Sequence, residues 1–182
     1  MSLLYLIGEP GVGKSSVMAA LLAQEEADPG HRPWHYRRPL AHTLYPNAMH
    51  IGNPTPKNPA HPGTDTLSMS ALPVACEWLP TLDPNMRIYA EGDRLAHPRL
   101  WSAMQAAGHN VQVVMLEGPA AERRAGRGTR QNETWLAGRA TRVRNLAAEW
   151  PVIRIDTGTL TVSQVAGVVR AVSGGFRRRE VS

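Results

Sequence analysis

Apolar residues fall along this chain in short unbroken runs separated by longer stretches of helical period. The first run, Leu3-Leu4-Tyr5-Leu6-Ile7, has no polar position, the pattern of a strand covered on both faces of a sheet. Comparable runs predict strands over 87–91, 111–117 and 152–155, with a more mixed strand region over 35–44 and 48–51. Apolar spacing of three and four predicts helices over 14–25, 68–80, 98–107, 119–126, 132–149 and 161–172. The alternation of strand and helix predicts an α/β fold, a parallel sheet of about five strands flanked by helices.

The 182 residues suit one such domain, drawn here as 1–173, followed by a basic tail over 174–182 that contains Arg177-Arg178-Arg179. Residues 53–63 hold four prolines and read as an irregular surface loop. No apolar run nears the roughly 18 residues of a membrane span, and the N-terminus lacks the basic flank of a signal peptide. The single Cys76 excludes a disulfide framework and a multi-cysteine zinc site. A reducing, cytoplasmic compartment is the expected location.

Directly behind the first strand stands Gly8-Glu9-Pro10-Gly11-Val12-Gly13-Lys14-Ser15, a complete G-x-x-x-x-G-K-S phosphate loop that runs through Ser16 into a helix. Glycines let successive backbone N–H groups face one anion, Lys14 reaches the β- and γ-phosphates, and the Ser15 hydroxyl is suited to Mg²⁺. ATP and Mg²⁺ are therefore the expected ligands.

Two further segments carry acids. The strand Arg87-Ile88-Tyr89-Ala90 delivers Glu91 and Asp93, two residues apart, to a strand C-terminus, where open α/β sheets bind ligands. A carboxylate there can hold Mg²⁺ or take the proton of an attacking hydroxyl, and Arg94 can neutralise transferring phosphate. The second segment, Thr64-Asp65-Thr66, either caps a helix beginning near Ser68 or lines the acceptor pocket, with Asp65 as a hydrogen-bonding group or general base. Some hydrolase classes fit poorly: a glycine separates the two acids at the strand end, no Asn-Lys-x-Asp base-recognition motif exists, and Leu-Ser-Gly-Gly-Gln is absent.

The net charge is +5, carried by eighteen arginines against two lysines. Seven of them, Arg123, Arg124, Arg127, Arg130, Arg139, Arg142 and Arg144, fall within 22 residues that hold one acid, Glu133. The arginine fork matches phosphate oxygens, so this segment reads as an arginine-rich lid over about 119–146 that closes on the γ-phosphate, with Gly126 and Gly128 as hinges. Trp135 reads as packed beneath the helix, or as a stacking partner for a base. The seven histidines give no metal site, since Pro33 breaks the register of His31 and His35.

With these motifs the chain resembles the P-loop kinases of the nucleotide-kinase group over nearly its whole length. Within that group His61 to Met69, Ala90 to Leu95 and Gln131 to Leu146 look like phage-encoded P-loop kinases, including those that phosphorylate 5-hydroxymethyluracil in DNA. The resemblance implies an ATP-dependent kinase acting on a base hydroxymethyl group in a phage-infected host. Ser15 then ligates Mg²⁺ with Glu91 or Asp93 in its outer shell, and Asp93 or Asp65 orients the acceptor hydroxyl. The alternatives are a free nucleoside or nucleotide kinase and a nucleic-acid-remodelling ATPase. DNA or a nucleotide is the expected partner, with no membrane and no protein partner.

Overall fold

The computed structural model describes residues 3–25, 34–52, 63–126 and 132–173. Its centre is β1 (Leu3–Gly8), which pairs in parallel with β5 (Arg87–Glu91) and β6 (Val111–Glu117) and is buried at every position because helices cover both faces. Beyond β6 lies β7 (Val152–Asp156), also parallel. On the other flank β5 pairs in parallel with β4 (Ala48–Ile51), which continues antiparallel into β3 (His42–Tyr45) and β2 (Trp34–Tyr36). The sheet thus has seven strands in the order β2-β3-β4-β5-β1-β6-β7 rather than about five.

The extra strands come from the mixed region. What reads as one strand over 35–44 is two, because Pro39 has no N–H for a ladder and the chain turns through 37–41 before resuming at His42. A two-residue Pro46-Asn47 turn then reverses it into β4.

Alternation along β1 sorts the core into two layers. Leu3, Tyr5 and Ile7 face α2 (Ala71–Trp78), α3 (Pro98–Ala106) and α5 (Glu133–Glu149), where Trp101 is fully buried and meets the Tyr5 ring edge-on at 5.7 Å. Leu4 and Leu6 face α1 (Lys14–Leu22) and α6 (Val162–Val172), through Val17, Met18, Leu21, Val165 and Val169. A short helix α4 (Ala120–Gly126) follows β6. The expected helix over 68–80 contracts to α2, with a 3₁₀ turn over Leu79–Thr81 where Pro80 intervenes. Asn132 caps α5 through its side chain, and Thr161 with Gln164 forms a capping box on α6. Among the described residues no helix is long and apolar enough to cross a membrane.

One polar residue sits awkwardly in this core. His50, on β4 between the inward-facing apolar residues Met49 and Ile51, is fully buried, and neither ring nitrogen has a partner among the described residues. Burial pushes its pKa down from 6.5 to about 4. The folded state therefore favours the neutral ring: its contribution is complete above pH 6.5 and is lost as the pH falls towards 4, where the unfolded chain binds the proton first. Urea unfolding at pH 7 and pH 4 should show the parent losing about 3 kcal/mol more than His50→Leu over that interval. Parallel losses in both proteins would place the acid sensitivity elsewhere.

Candidate active site

The phosphate loop leaves β1 and enters α1 at Gly13, and no side chain caps that helix, so its first N–H groups are left to an anion. Lys14 folds back over the loop, donating to the carbonyls of Gly8 at 2.8 Å and Glu9 at 3.1 Å. Burial lowers its pKa, against the opposing pull of Asp93, Glu91 and Asp65; the Arg139 charge adds to the lowering.

The loop is braced from α4. Arg123 donates from Nη1 to the Val12 carbonyl at 2.6 Å and to Thr157 Oγ1 at 2.9 Å, and from Nη2 to the Thr157 carbonyl at 2.6 Å. Arg124 Nη1 donates to the Pro10 carbonyl. The backbone at Gly11 has φ +91°, and a Cβ there would stand 2.6 Å from Arg124 Cγ, so close packing of the brace requires glycine. Arg123 was expected in the lid; its guanidinium is instead bound to the carbonyls that hold the loop in shape.

On the opposite side of the loop, the Ser15 hydroxyl donates to Glu91 Oε2 at 3.1 Å. Glu91 is 3% exposed at the end of β5. Burial raises its pKa to about 7, with Lys14 and the Ser15 hydrogen bond opposing and Asp65 adding to the rise. Ser15 and Glu91 thus set two hard oxygens side by side at the helix start, the donor type that Mg²⁺ takes while keeping several waters. Among the described residues no group of three or more His, Cys, Asp or Glu could hold a metal by itself.

β5 ends at Glu91, so strand alternation does not extend to Asp93 and the two acids meet different partners. Asp93 pairs with Arg139 of α5, Nη1 to Oδ2 at 2.9 Å. Its pKa is raised by burial, with Lys14 the largest opposing influence, Asp65 adding to the rise, and Arg139 and Arg142 lowering it. Asp65 Oδ1 accepts the backbone N–H groups of Asp93 at 2.8 Å and Arg94 at 3.2 Å, which fixes the turn that presents both side chains. Arg94 touches Met69 Sδ through Nη1, while its buried Nε has no partner among the described residues.

Residues 64–66 form a 3₁₀ turn of their own and cap nothing; the N-cap of α2 is Ser70, without a side-chain hydrogen bond. Thr66 Oγ1 donates to the Gly63 carbonyl at 2.7 Å. Thr64 is completely buried with its hydroxyl 3.2 Å from that of Tyr5, which also donates to the Gly92 carbonyl at 2.9 Å. The segment reaches β5 because Gly63, at φ +60°, has no side chain: a Cβ there would lie 2.6 Å from Glu91 Cγ.

Along α5, Trp135, Arg139 and Arg142 lie at spacings of four and three on one face. Arg139 lies over the Trp135 ring at 5.1 Å, and Arg142 donates to the Ala96 carbonyl at 3.1 Å. Trp135 is not packed beneath the helix; it is 37% exposed. Arg127 and Arg130 lie outside the described residues, as does His61. Sequence reasoning missed Tyr5, hidden in an apolar run, and Thr157, whose contacts with Arg123 tie the residue after β7 to α4 and the phosphate loop. A tyrosine hydroxyl within a strand buried on both faces was the available signal for Tyr5, since it needs a partner.

The fold is similar to that of the solved Deinococcus radiodurans tunicamycin resistance protein, with a TM-score of 0.52, 20% identity and 96% of each chain covered. No curated protein matches the chain in sequence. The sequence profile described as P-loop Nucleotide Kinase3 matches residues 1–165, a span that takes in the phosphate loop, Glu91 and Asp93 at and after the end of β5, and the arginines of α5. The chain belongs to that family and is a P-loop kinase.

Proposed function

We propose that this kinase transfers the γ-phosphoryl group of ATP, with Mg²⁺, to the hydroxymethyl group of 5-hydroxymethyluracil in phage DNA, in the cytoplasm of the infected host. The observation that carries the phosphotransfer reading is the Ser15–Glu91 hydrogen bond beside Lys14, which joins the phosphate loop to an acid at a strand end. The polymeric, modified-base acceptor is supported by the resemblance of 61–69, 90–95 and 131–146 to phage kinases and by a net charge of +5 with pI near 10. The kinase unit is taken as 1–173, with the lid function of 119–146 falling on α5, since Arg123 and Arg124 brace the loop.

In this reading the amides of 8–16 receive the β- and γ-phosphates, and Lys14 exchanges the carbonyls of Gly8 and Glu9 for phosphate oxygens. Mg²⁺ held by Ser15 with Glu91 would neutralise phosphate charge. Asp65 and Glu91 are already committed, to backbone N–H groups and to Ser15. Asp93, whose partner is a side chain that can turn to phosphate, is therefore the acid that orients the acceptor hydroxyl and takes its proton as the oxygen attacks the γ-phosphorus and ADP departs. Burial makes that carboxylate more basic. Asp65 positions it, with Thr64 and Thr66 shaping the turn. Arg139, Arg142 and Arg94 neutralise the transferring group.

Lys14→Ala should abolish phosphoryl transfer with an unchanged circular dichroism spectrum, and near-normal turnover would remove the phosphate-loop assignment. Glu91→Gln and Asp93→Asn should each lower kcat by about 10² or more; values within threefold of the parent would make both acids structural. Given labelled ATP, the protein should label a strand containing 5-hydroxymethyluracil better than the corresponding free nucleotide, with single-stranded substrate at least as good as duplex. Digestion and identification of the labelled product decide the acceptor. Label on the free nucleotide alone would favour a nucleotide kinase, which the family description also fits, and hydrolysis without a labelled acceptor would favour a remodelling ATPase.

A further inference from the structure

The outer hairpin of the sheet carries aromatic rings and arginines that neither the core nor the phosphate site uses. On β2, Trp34 is 66% exposed and Tyr36 45% exposed. They stand two apart, so alternation puts them on one face. Tyr36 stacks on His42 with centroids 5.0 Å apart and planes 12° apart, and His42 in turn lies 5.0 Å from Trp78 of α2. α2 covers this column at His42, which is buried, and leaves Tyr36 and Trp34 uncovered at the sheet edge. Arg37 and Arg38 follow at once, both exposed and without an ion pair among the described residues. Residues 34–52 contain no Asp or Glu, so nothing in the hairpin itself offsets their charge.

The register places this group on the same rim as the acids. Tyr36 pairs with His42 and His42 with Ile51, so the Arg37–Arg38 end of β2 lies level with the C-terminal end of β4, which runs parallel to β5. The Gly52 N–H donates to the Ala41 carbonyl at 2.7 Å and ties the two ends together. Three strand spacings, about 14 Å, separate β2 from β5. A strand whose target nucleotide occupied the acid cluster would pass its neighbouring nucleotides over this edge.

We propose that the β2 edge is a docking surface for single-stranded DNA: Trp34 and Tyr36 stack on bases flanking the target, and Arg37 and Arg38 bind the phosphates between them. Stacking on aromatic faces combined with cations along the backbone is how proteins hold single strands without reading sequence. Unpaired phosphate is also the charge that an exposed pair of arginine forks complements. This inference rests on the reading of the acceptor as part of a nucleic-acid strand.

The test uses the full chain, a labelled (dT)20 oligonucleotide without ATP, and two double variants at exposed positions outside the phosphate site. Trp34→Ala/Tyr36→Ala should weaken (dT)20 binding at least about tenfold. Arg37→Ala/Arg38→Ala should lower the slope of log affinity against log salt by about 1.4, the value for two single-strand phosphates. Both variants should keep the parent's melting temperature and its ATP turnover on a free-nucleotide acceptor. Parental binding by both variants, or a parent that does not bind (dT)20, overturns the surface. A parent that is dimeric by sedimentation and becomes monomeric in the aromatic variant overturns it in favour of a contact between two copies. The acceptor reading is scored separately on the 5-hydroxymethyluracil strand. Equal labelling by parent and edge variants removes the docking surface and leaves the acceptor reading intact. Edge-dependent binding without labelling removes the acceptor reading alone.

Discussion

Everything at the ligand end of this sheet depends on charge partly withdrawn from water beyond the C-terminal ends of β1 and β5. Glu91, Asp93 and Asp65 share that space with the Lys14 ammonium, and burial raises the first two acids while lowering the lysine. Each group is kept by a specific contact: Ser15 on Glu91, Arg139 on Asp93, and two backbone N–H groups on Asp65. Buried charges that lack such partners cost several kcal/mol each. Under the proposed function, phosphate enters by replacing the contacts that Lys14 and Arg139 hold.

The arginine cluster, continuous in sequence, divides by its helices into two tasks. Arg123 and Arg124 of α4 satisfy carbonyls of the phosphate loop and of Thr157, which fixes the loop as a cradle before any ligand enters. Arg139 and Arg142 of α5 reach across to the turn after β5, one on Asp93 and one on the Ala96 carbonyl. The same residue type thus braces the loop on one side of the site and pairs with an acid and a carbonyl on the other. Preorganisation of the cradle reduces the reorganisation left for the transition state.

Sequence alone determined the parts whose signal is local. The β1 run, the phosphate loop at 8–15 and the acid-bearing β5 follow from unbroken apolar spacing and from a glycine pattern with one chemical use, and the helices follow from apolar period. The partners of Glu91, Asp93 and Asp65 were not available there, because Glu91 meets Ser15 across 76 residues, Asp65 meets two backbone N–H groups across 28 and 29, and Asp93 meets Arg139 of α5. Nor was the division of the arginines, since a guanidinium on a solvated helix and one bound to a loop carbonyl have the same local pattern. The hairpin of β2 and β3 was blurred into one strand because both halves are rich in β-forming residues and only Pro39 interrupts them. Tertiary structure decided these points because hydrogen bonds and ion pairs between distant segments depend on distances that only packing of the sheet layers sets.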